Sequence, residues 1–502
     1  MTASIYDLRF TIYAAGALAM NVLPTHADEG RHASPRRPPD SAPQPGRLGE
    51  ASVPNDYPGV LSTARLAGTA DTNATVYPID LPTTLRLAGA RNLDIQIARE
   101  SLKEAEANRQ GAVEQFFPWV APGITYHRRD GLAQSVPSGV ISSANFQSYS
   151  PGATVAGQVA LGDAIYNSLA AKQLVKVSGQ ALETQRQDTI LSAAAGYFDL
   201  VKAKAMVEVA RQSIGISQEY QHELHDAVAA GVAFKGDELR VQTQTEQYGI
   251  LLQQDLEQQR VAAANLAQVL HLDARVELVP LDAGVTALRL FPTNPSLNAL
   301  VQQAMSSRPE LTQSEAFMAA SRTAKNGAVY GPLIPSVGAQ VFGGGLGGGP
   351  DGGPSNFGAE GDALVGVSWR IGPGGLFDYA RINATKARLA SAQFADAKLK
   401  DAVISQVVAG LARVNSTAAQ VGLAGHNLGT ADETLRLTRQ RKQYGVGIVV
   451  EDIQAQQALN QARSDFVTAV AENDKAQYAL SRAIGTPPES AGPGVPPGQT
   501  NH

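Results

Sequence analysis

Four short stretches of the chain alternate between apolar and polar positions. Residues 154–161 set Val155, Gly157, Val159 and Leu161 against Thr154 and Gln158. Residues 336–342 set Val337, Ala339 and Val341 against Ser336, Gly338 and Gln340, and residues 363–370 set Ala363, Val365, Val367 and Trp369 against Ser368 and Arg370. With residues 119–128 they are read as four strands of a sheet with one apolar and one polar face. The strands come in two pairs, one joined by a polar loop at 129–149, the other by a Gly-rich loop at 343–360. The rest of the chain reads as helix. Residues 83–117, 152–279 and 374–486 contain no proline and are loaded with Ala, Leu, Gln, Glu and Lys, and proline is what breaks helix interiors. Helices are expected at 82–116, 163–229, 237–270, 297–330, 376–443 and 449–484. At about 1.5 Å per residue the two longest reach roughly 100 Å, and each pair of shorter helices stacked end to end matches one long partner.

The pattern occurs twice, with an offset of about 214–217 residues. Phe116-Phe117-Pro118-Trp119-Val120 answers Leu333-Ile334-Pro335-Ser336-Val337, and Asn92-Leu93-Asp94-Ile95 answers Arg308-Pro309-Glu310-Leu311. Gly231-Val232 answers Gly445-Val446, and Glu238, Leu239, Gln242 and Gln247 answer Asp452, Ile453, Gln456 and Gln461. Each unit runs helix, strand, strand, long helix, turn, helix, a duplicated supersecondary unit rather than a short-period solenoid. The expected organisation is a signal peptide at 1–27, a disordered Pro-rich segment at 28–78, a first repeat at 79–270, an inter-repeat linker at 271–296, a second repeat at 297–486 and a disordered tail at 487–502. The signal is read from Arg9, the apolar stretch 10–23 and the small-residue site around Ala27.

Composition narrows the function. The formal net charge is −5, which gives no electrostatic footprint for nucleic acid. No cysteine is present, so disulfides, thiolate nucleophiles and Cys-ligated zinc are excluded. No run of 18 apolar residues offers a transmembrane helix, so a membrane role requires a β-barrel. Four strands cannot close one, since about eight are needed. Open edges are intolerable in lipid, so copies of the chain must combine. Two copies would supply eight strands and three copies twelve, so strand arithmetic alone leaves both open and the trimer is favoured by helix packing and the resemblance below.

With the element order, the aromatic-Pro strand start at Phe117-Pro118 and the paired turns at 230–237 and 444–452, the chain resembles the outer membrane efflux family typified by TolC, over residues 80–486. The resemblance implies a mainly α fold carrying a membrane β-barrel. A homotrimer would form a 12-stranded barrel in outer-membrane lipid and a 12-helix periplasmic tunnel. It implies a passive efflux duct, not an enzyme and without cofactor, that works with a periplasmic adapter (membrane fusion) protein and an inner-membrane transporter of RND or ABC type. The two turns mark the periplasmic entrance, where Gly231, Val232, Gly445, Val446 and Gly447 would meet the adapter. Glu451, Asp237 and Asp452 are the candidate gate acids, and three copies of Glu451 would make a negative ring. Two family positions differ: Gln454 stands where a second acid is expected, and Gly447 where the basic partner of Asp237 would lie. Arg439, Arg441 or Lys442 could substitute from one turn away.

Other chemistry is poorly supported. His222 and His225 sit three apart without a third ligand. The run 343–349 lacks the Gly-Lys-Ser/Thr ending of a phosphate loop, and no Gly-x-Ser-x-Gly sequence is present. Trp119, Tyr126, Tyr149 and Trp369 flank the strands and suit interfacial girdles. Two other readings remain: a type I protein-secretion duct on the same fold, and a soluble coiled-coil scaffold. The strand pairs and the lack of sustained Leu heptads weigh against the scaffold.

Overall fold

The computed structural model describes residues 76–134, 139–273, 275–282, 284–292, 295–349, 356–443 and 448–486. The signal peptide expected at 1–27 and the tail at 487–502 lie outside them, as does the Pro-rich segment up to residue 75. That segment's last residues, Val76–Pro78, instead begin strand β1 (Val76–Ile79), which pairs in parallel with β4 (Glu277–Pro280) of the inter-repeat linker. The pairing gives the β1 backbone groups partners that a disordered segment would have to find in water.

Two of the four half-length helices are each broken where one was expected. Helices α1 (Leu81–Arg91) and α2 (Leu93–Glu114) part at Asn92, and α5 (Leu297–Ser307) and α6 (Pro309–Tyr330) part at Arg308. The Asn92 carboxamide oxygen accepts the backbone N–H of Asp94 at 2.8 Å and of Ile95 at 3.2 Å, an N-cap that starts a new helix. At the equivalent place Pro309 opens α6 and leaves Arg308 extended, because the ring disfavours helical backbone before it. The other helices are α3 (Leu161–Ala229), α4 (Lys235–Val269), α7 (Tyr379–Gln443) and α8 (Val449–Ala483).

Strands β2 (Trp119–Gln134), β3 (Ile141–Ala160), β5 (Ser336–Gly349) and β6 (Gly358–Ser368) form one antiparallel sheet in the order β2-β3-β5-β6. They run well past their expected ends. Most of 129–149 is strand, and the glycine run 343–349 is part of β5 rather than a loop. Aromatic rings explain some of the sheet's glycines. A Cβ at Gly345 would lie 2.2 Å from the Phe357 ring, one at Gly347 2.6 Å from the Tyr149 ring, and one at Gly152 2.6 Å from the Phe342 ring. Tyr149 and Phe357 stack over the sheet with centroids 6.1 Å apart. A uniform register puts Val120, Ile124, Tyr126, Tyr149, Val155, Val159, Val337, Val341, Val365 and Val367 on one face. Trp119 pairs with Ala156 and belongs to the other face, with Thr154, Gln340 and Asp362.

Each repeat has its own core where the helices break. In the first, Leu85, Tyr197, Leu200, Leu266 and Leu270 pack with Ile79 and Leu278 of the small sheet. In the second, Leu300, Leu311, Val403, Val407 and Leu480 do so. Gly196 approaches Leu266 as Gly410 approaches Leu480: a Cβ would meet the leucine Cδ1 at 3.3 and 3.2 Å. The duplication therefore extends to individual packing contacts.

The linker is fastened to α8 by polar groups. The buried Asp474 carboxylate accepts the Leu288 N–H at 2.8 Å and the Asn473 amide at 3.2 Å, and Asn473 also donates to the Leu288 carbonyl at 3.1 Å. Burial pushes the Asp474 carboxyl up to about 6, against the lowering effect of the Leu288 and Asn473 hydrogen bonds. The folded state thus binds this proton more tightly than the unfolded chain. Its contribution to stability is full below about pH 4, where the unfolded carboxyl is also protonated, and is lost as pH rises through about 6, by about 3 kcal/mol in total for this group. Asp474→Asn keeps the acceptor for Leu288 and removes the charge. It should raise the melting temperature at pH 7.5 and flatten the rise otherwise seen between about pH 6.5 and 4. Equal pH profiles in variant and wild type would contradict this.

Candidate functional site

The turn between α3 and α4 is built by one glycine. Gly231 takes φ of +74°, which only glycine adopts freely. Its N–H donates to the Val228 carbonyl at 3.0 Å and the Val232 N–H to the Ala227 carbonyl at 2.9 Å. These two bonds satisfy carbonyls that the helix end would leave unpaired. The turn lifts two apolar side chains into the open: Val232 is 80% and Phe234 72% exposed. The Phe234 ring lies over Gly236, whose Cβ would meet it at 2.3 Å. Phe234 was missed in the sequence; an apolar residue two positions after a helix-ending Gly-Val is the signal that could have found it.

The second turn joins α7 to α8. Gly445, Val446 and Gly447 lie outside the described residues. The flanking chain is described: Ile448 is extended, and the Glu451 N–H donates to its carbonyl at 3.1 Å.

The three candidate acids meet different surroundings. Asp237, in the first turn of α4, accepts Arg240 Nη1 at 2.9 Å from its own helix. Glu451 lies 3.3 Å from Arg441 Nη1, so of the three cations considered for Asp237, Arg441 is held by a different acid across the α7–α8 turn. Asp452 is buried and accepts the Gln456 amide at 2.9 Å. It stands close enough to Tyr220 of α3 that, after burial, its charge is the main cause holding the Tyr220 hydroxyl up. Tyr220, Leu224 and Val241 pack with Ala233, Val449 and Ile453, so the start of α8 is seated on the α3–α4 hairpin.

A fourth acid was not anticipated. Glu238 is buried at the hairpin tip, 2.6 Å from Lys235 Nζ and 3.1 Å from His225 Nδ1. Hydrogen bonds from Lys235 and then His225 hold its carboxyl below the usual range. His225 therefore staples α3 to α4, while His222 lies 3.7 Å from Asp226 on its own helix. Among the described residues no group of three or more His, Asp or Glu is placed to hold a metal, and no helix is long and apolar enough to cross a membrane. The site offers exposed apolar tips beside a partly compensated acid, an arrangement suited to docking and to screening ions.

Residues 300–486 match the family described as outer membrane efflux protein. No curated protein matches the chain by sequence. Among solved structures it is similar to the outer-membrane channel OprN (18% identity, 82% of this chain and 91% of that one, TM-score 0.69). It is also similar to the CmeC outer membrane channel of Campylobacter jejuni (15% identity, 81% and 85%, TM-score 0.69). A third match is the open state of the MtrE outer membrane channel of Neisseria gonorrhoeae (17% identity, 81% and 89%, TM-score 0.66).

Proposed function

From the premise that this chain belongs to the outer membrane efflux protein family, through residues 300–486, and has the TolC-like fold, we propose that it is the outer-membrane duct of a tripartite efflux pump. It sits in the outer membrane, extends into the periplasm, and conducts small molecules passively to the exterior. Three copies close the channel. A periplasmic adapter and an inner-membrane transporter supply selectivity and energy. The chain itself carries out no reaction.

The observation that carries this reading is the outward sheet face. Ile124 is 78% and Val365 73% exposed, and they belong to a face lined by valines on all four strands. Exposed apolar area of that extent is stable only against lipid or another chain. Tyr126 and Tyr149 are directly paired midway along β2, where the valine band of this face gives way to Arg128 and Asp130, a position that suits an interfacial girdle. A soluble scaffold has no use for such a face. At the other end of the helices, Val232 and Phe234 are the groups offered to the adapter; in the second repeat Gly445, Val446 and Gly447 are proposed for the same contact, with Val446 and Ile448 the equivalents of Val232 and Phe234.

Docking rests on those tips. Val232→Asp with Phe234→Asp should weaken adapter binding by about 2 kcal/mol or more, roughly thirty-fold. Cells bearing the variant should accumulate ethidium like a deletion strain while the oligomer persists in the outer-membrane fraction. Wild-type efflux by that variant would remove the tip from the mechanism.

A further inference from the structure

The helices under the sheet form a row of their own: α2 packs on α3, α3 on α6, and α6 on α7. The sheet runs β2-β3-β5-β6 in the same order. Strand β2 follows α2 in the chain and β6 precedes α7. Both rows are therefore open at the same two edges, α2 with β2 and α7 with β6.

The duplication says what those edges expect. Within the chain the α2–α3 contact is repeated as α6–α7, and the α3–α4 contact as α7–α8, down to the Gly196–Leu266 and Gly410–Leu480 approaches. Among the described residues the α3–α6 contact has no such second instance; its equivalent would join α7 to α2. That contact is very close. A Cβ at Gly327 of α6 would lie 2.8 Å from Tyr166 Cβ of α3, and one at Gly162 of α3 would lie 2.0 Å from the Gly331 carbonyl oxygen. Gly327-Ala328-Val329 is matched on α2 by Gly111-Ala112-Val113. A Cβ at Gly111 would meet nothing within 4 Å. Farther along α2, Ile97 is 64% exposed; on α7, Tyr379 is 68% and Phe394 74% exposed.

We propose that Gly111 is a socket for the first turn of α7, around Ala380 and Arg381, from a second copy of this chain. The socket repeats between copies the contact that Gly327 makes with Tyr166 within one. It rests on the reading of the chain as an oligomeric duct and adds where, and through which residues, the copies lock. A glycine suits the position because at its equivalent, Gly327, a Cβ would already lie 2.8 Å from the Cβ of the residue opposite. Apolar residues on both open edges are buried by the same approach.

The absence of native cysteine makes the test clean. The full-length chain carrying Gly111→Cys and Ala380→Cys is oxidised in detergent and run without reductant. A ladder of covalent dimer and higher species, collapsed by dithiothreitol and absent from each single variant, is expected. Independently, Gly111→Trp should lower the oligomeric fraction in light scattering at least tenfold, whereas Gly179→Trp, on α3 in open space, should not. An oligomeric wild type that yields no ladder and tolerates Gly111→Trp overturns the socket alone. A monomeric wild type overturns the socket and the duct together.

Discussion

Arg482→Met is expected to destabilise the protein by about 3–5 kcal/mol, the cost of breaking a buried ion network from one side. The Arg482 side chain is only 7% exposed. Its Nε donates to Asp188 of α3 at 2.8 Å and its Nη2 to Glu310 of α6 at 2.5 Å. Glu310 also accepts Arg308 Nη2 at 3.1 Å, and Arg308 Nη1 reaches Gln406 of α7 at 2.6 Å. Four helices thus meet around the break between α5 and α6. Burial opposes the charge on Glu310, but Arg308 and Arg482 outweigh it and hold its carboxyl below the usual range. Removing Arg482 leaves Asp188 without this partner and Glu310 with one cation instead of two. Thermal melting in detergent should show a fall of several degrees. Arg482→Met with Glu310→Gln should recover part of it, because the uncompensated charge is then gone. A single variant that melts with the wild type would show that the network contributes nothing.

Gly162→Val is expected to be as damaging for a different reason. The first carbon it adds would sit 2.0 Å from the Gly331 carbonyl oxygen and 2.6 Å from its carbon. Backbone cannot rotate away as a side chain can, so α3 and α6 must separate where the strands hand over to the helices. The neighbouring ion pair, Arg381 Nη2 to Asp163 Oδ1 at 2.6 Å, would be stretched with them. Overpacking of this kind costs about 1–3 kcal/mol, and more where the backbone itself is the obstacle. The folded oligomer should be largely lost and the chain should become protease-sensitive near residue 331. Gly179→Val, in open space on the same helix, should fold normally. If both variants fold alike, the close approach is not required.

Much of the architecture was legible in the chain because long proline-free runs and strict alternation are periodic signals. What misled was local chemistry that period does not encode. Asn92 reads as one polar residue in a helix, yet its side chain caps α2 and also donates to the Val269 carbonyl at 3.0 Å, a partner 177 residues away. The run 343–349 reads as a loop because glycine is usually a breaker; its strand is recognisable only once the rings of Tyr149, Phe342 and Phe357 are seen to occupy the missing side chains' space. At the site, the Gly-Val turn at 231–232 was visible, and Asp237 and Glu451 were visible as acids. Their partners were not. Whether Arg441 reaches Glu451 or Asp237 depends on the angle at which two hairpins meet, which spacing along one chain does not specify.

The central claim is a pore through an oligomer, and planar-bilayer conductance of the detergent-purified wild type under a salt gradient tests it most directly. Discrete steps with modest cation preference are predicted, modest because Arg441 lies 3.3 Å from Glu451. Arg441→Ala should sharpen the preference and Glu451→Gln should abolish it. Recording with Gly231→Pro as well, which disrupts the turn that requires φ of +74°, removes the ambiguity of a closed entrance by loosening it. Silence from both wild type and that variant, in a protein that stays dispersed without detergent, would contradict the account.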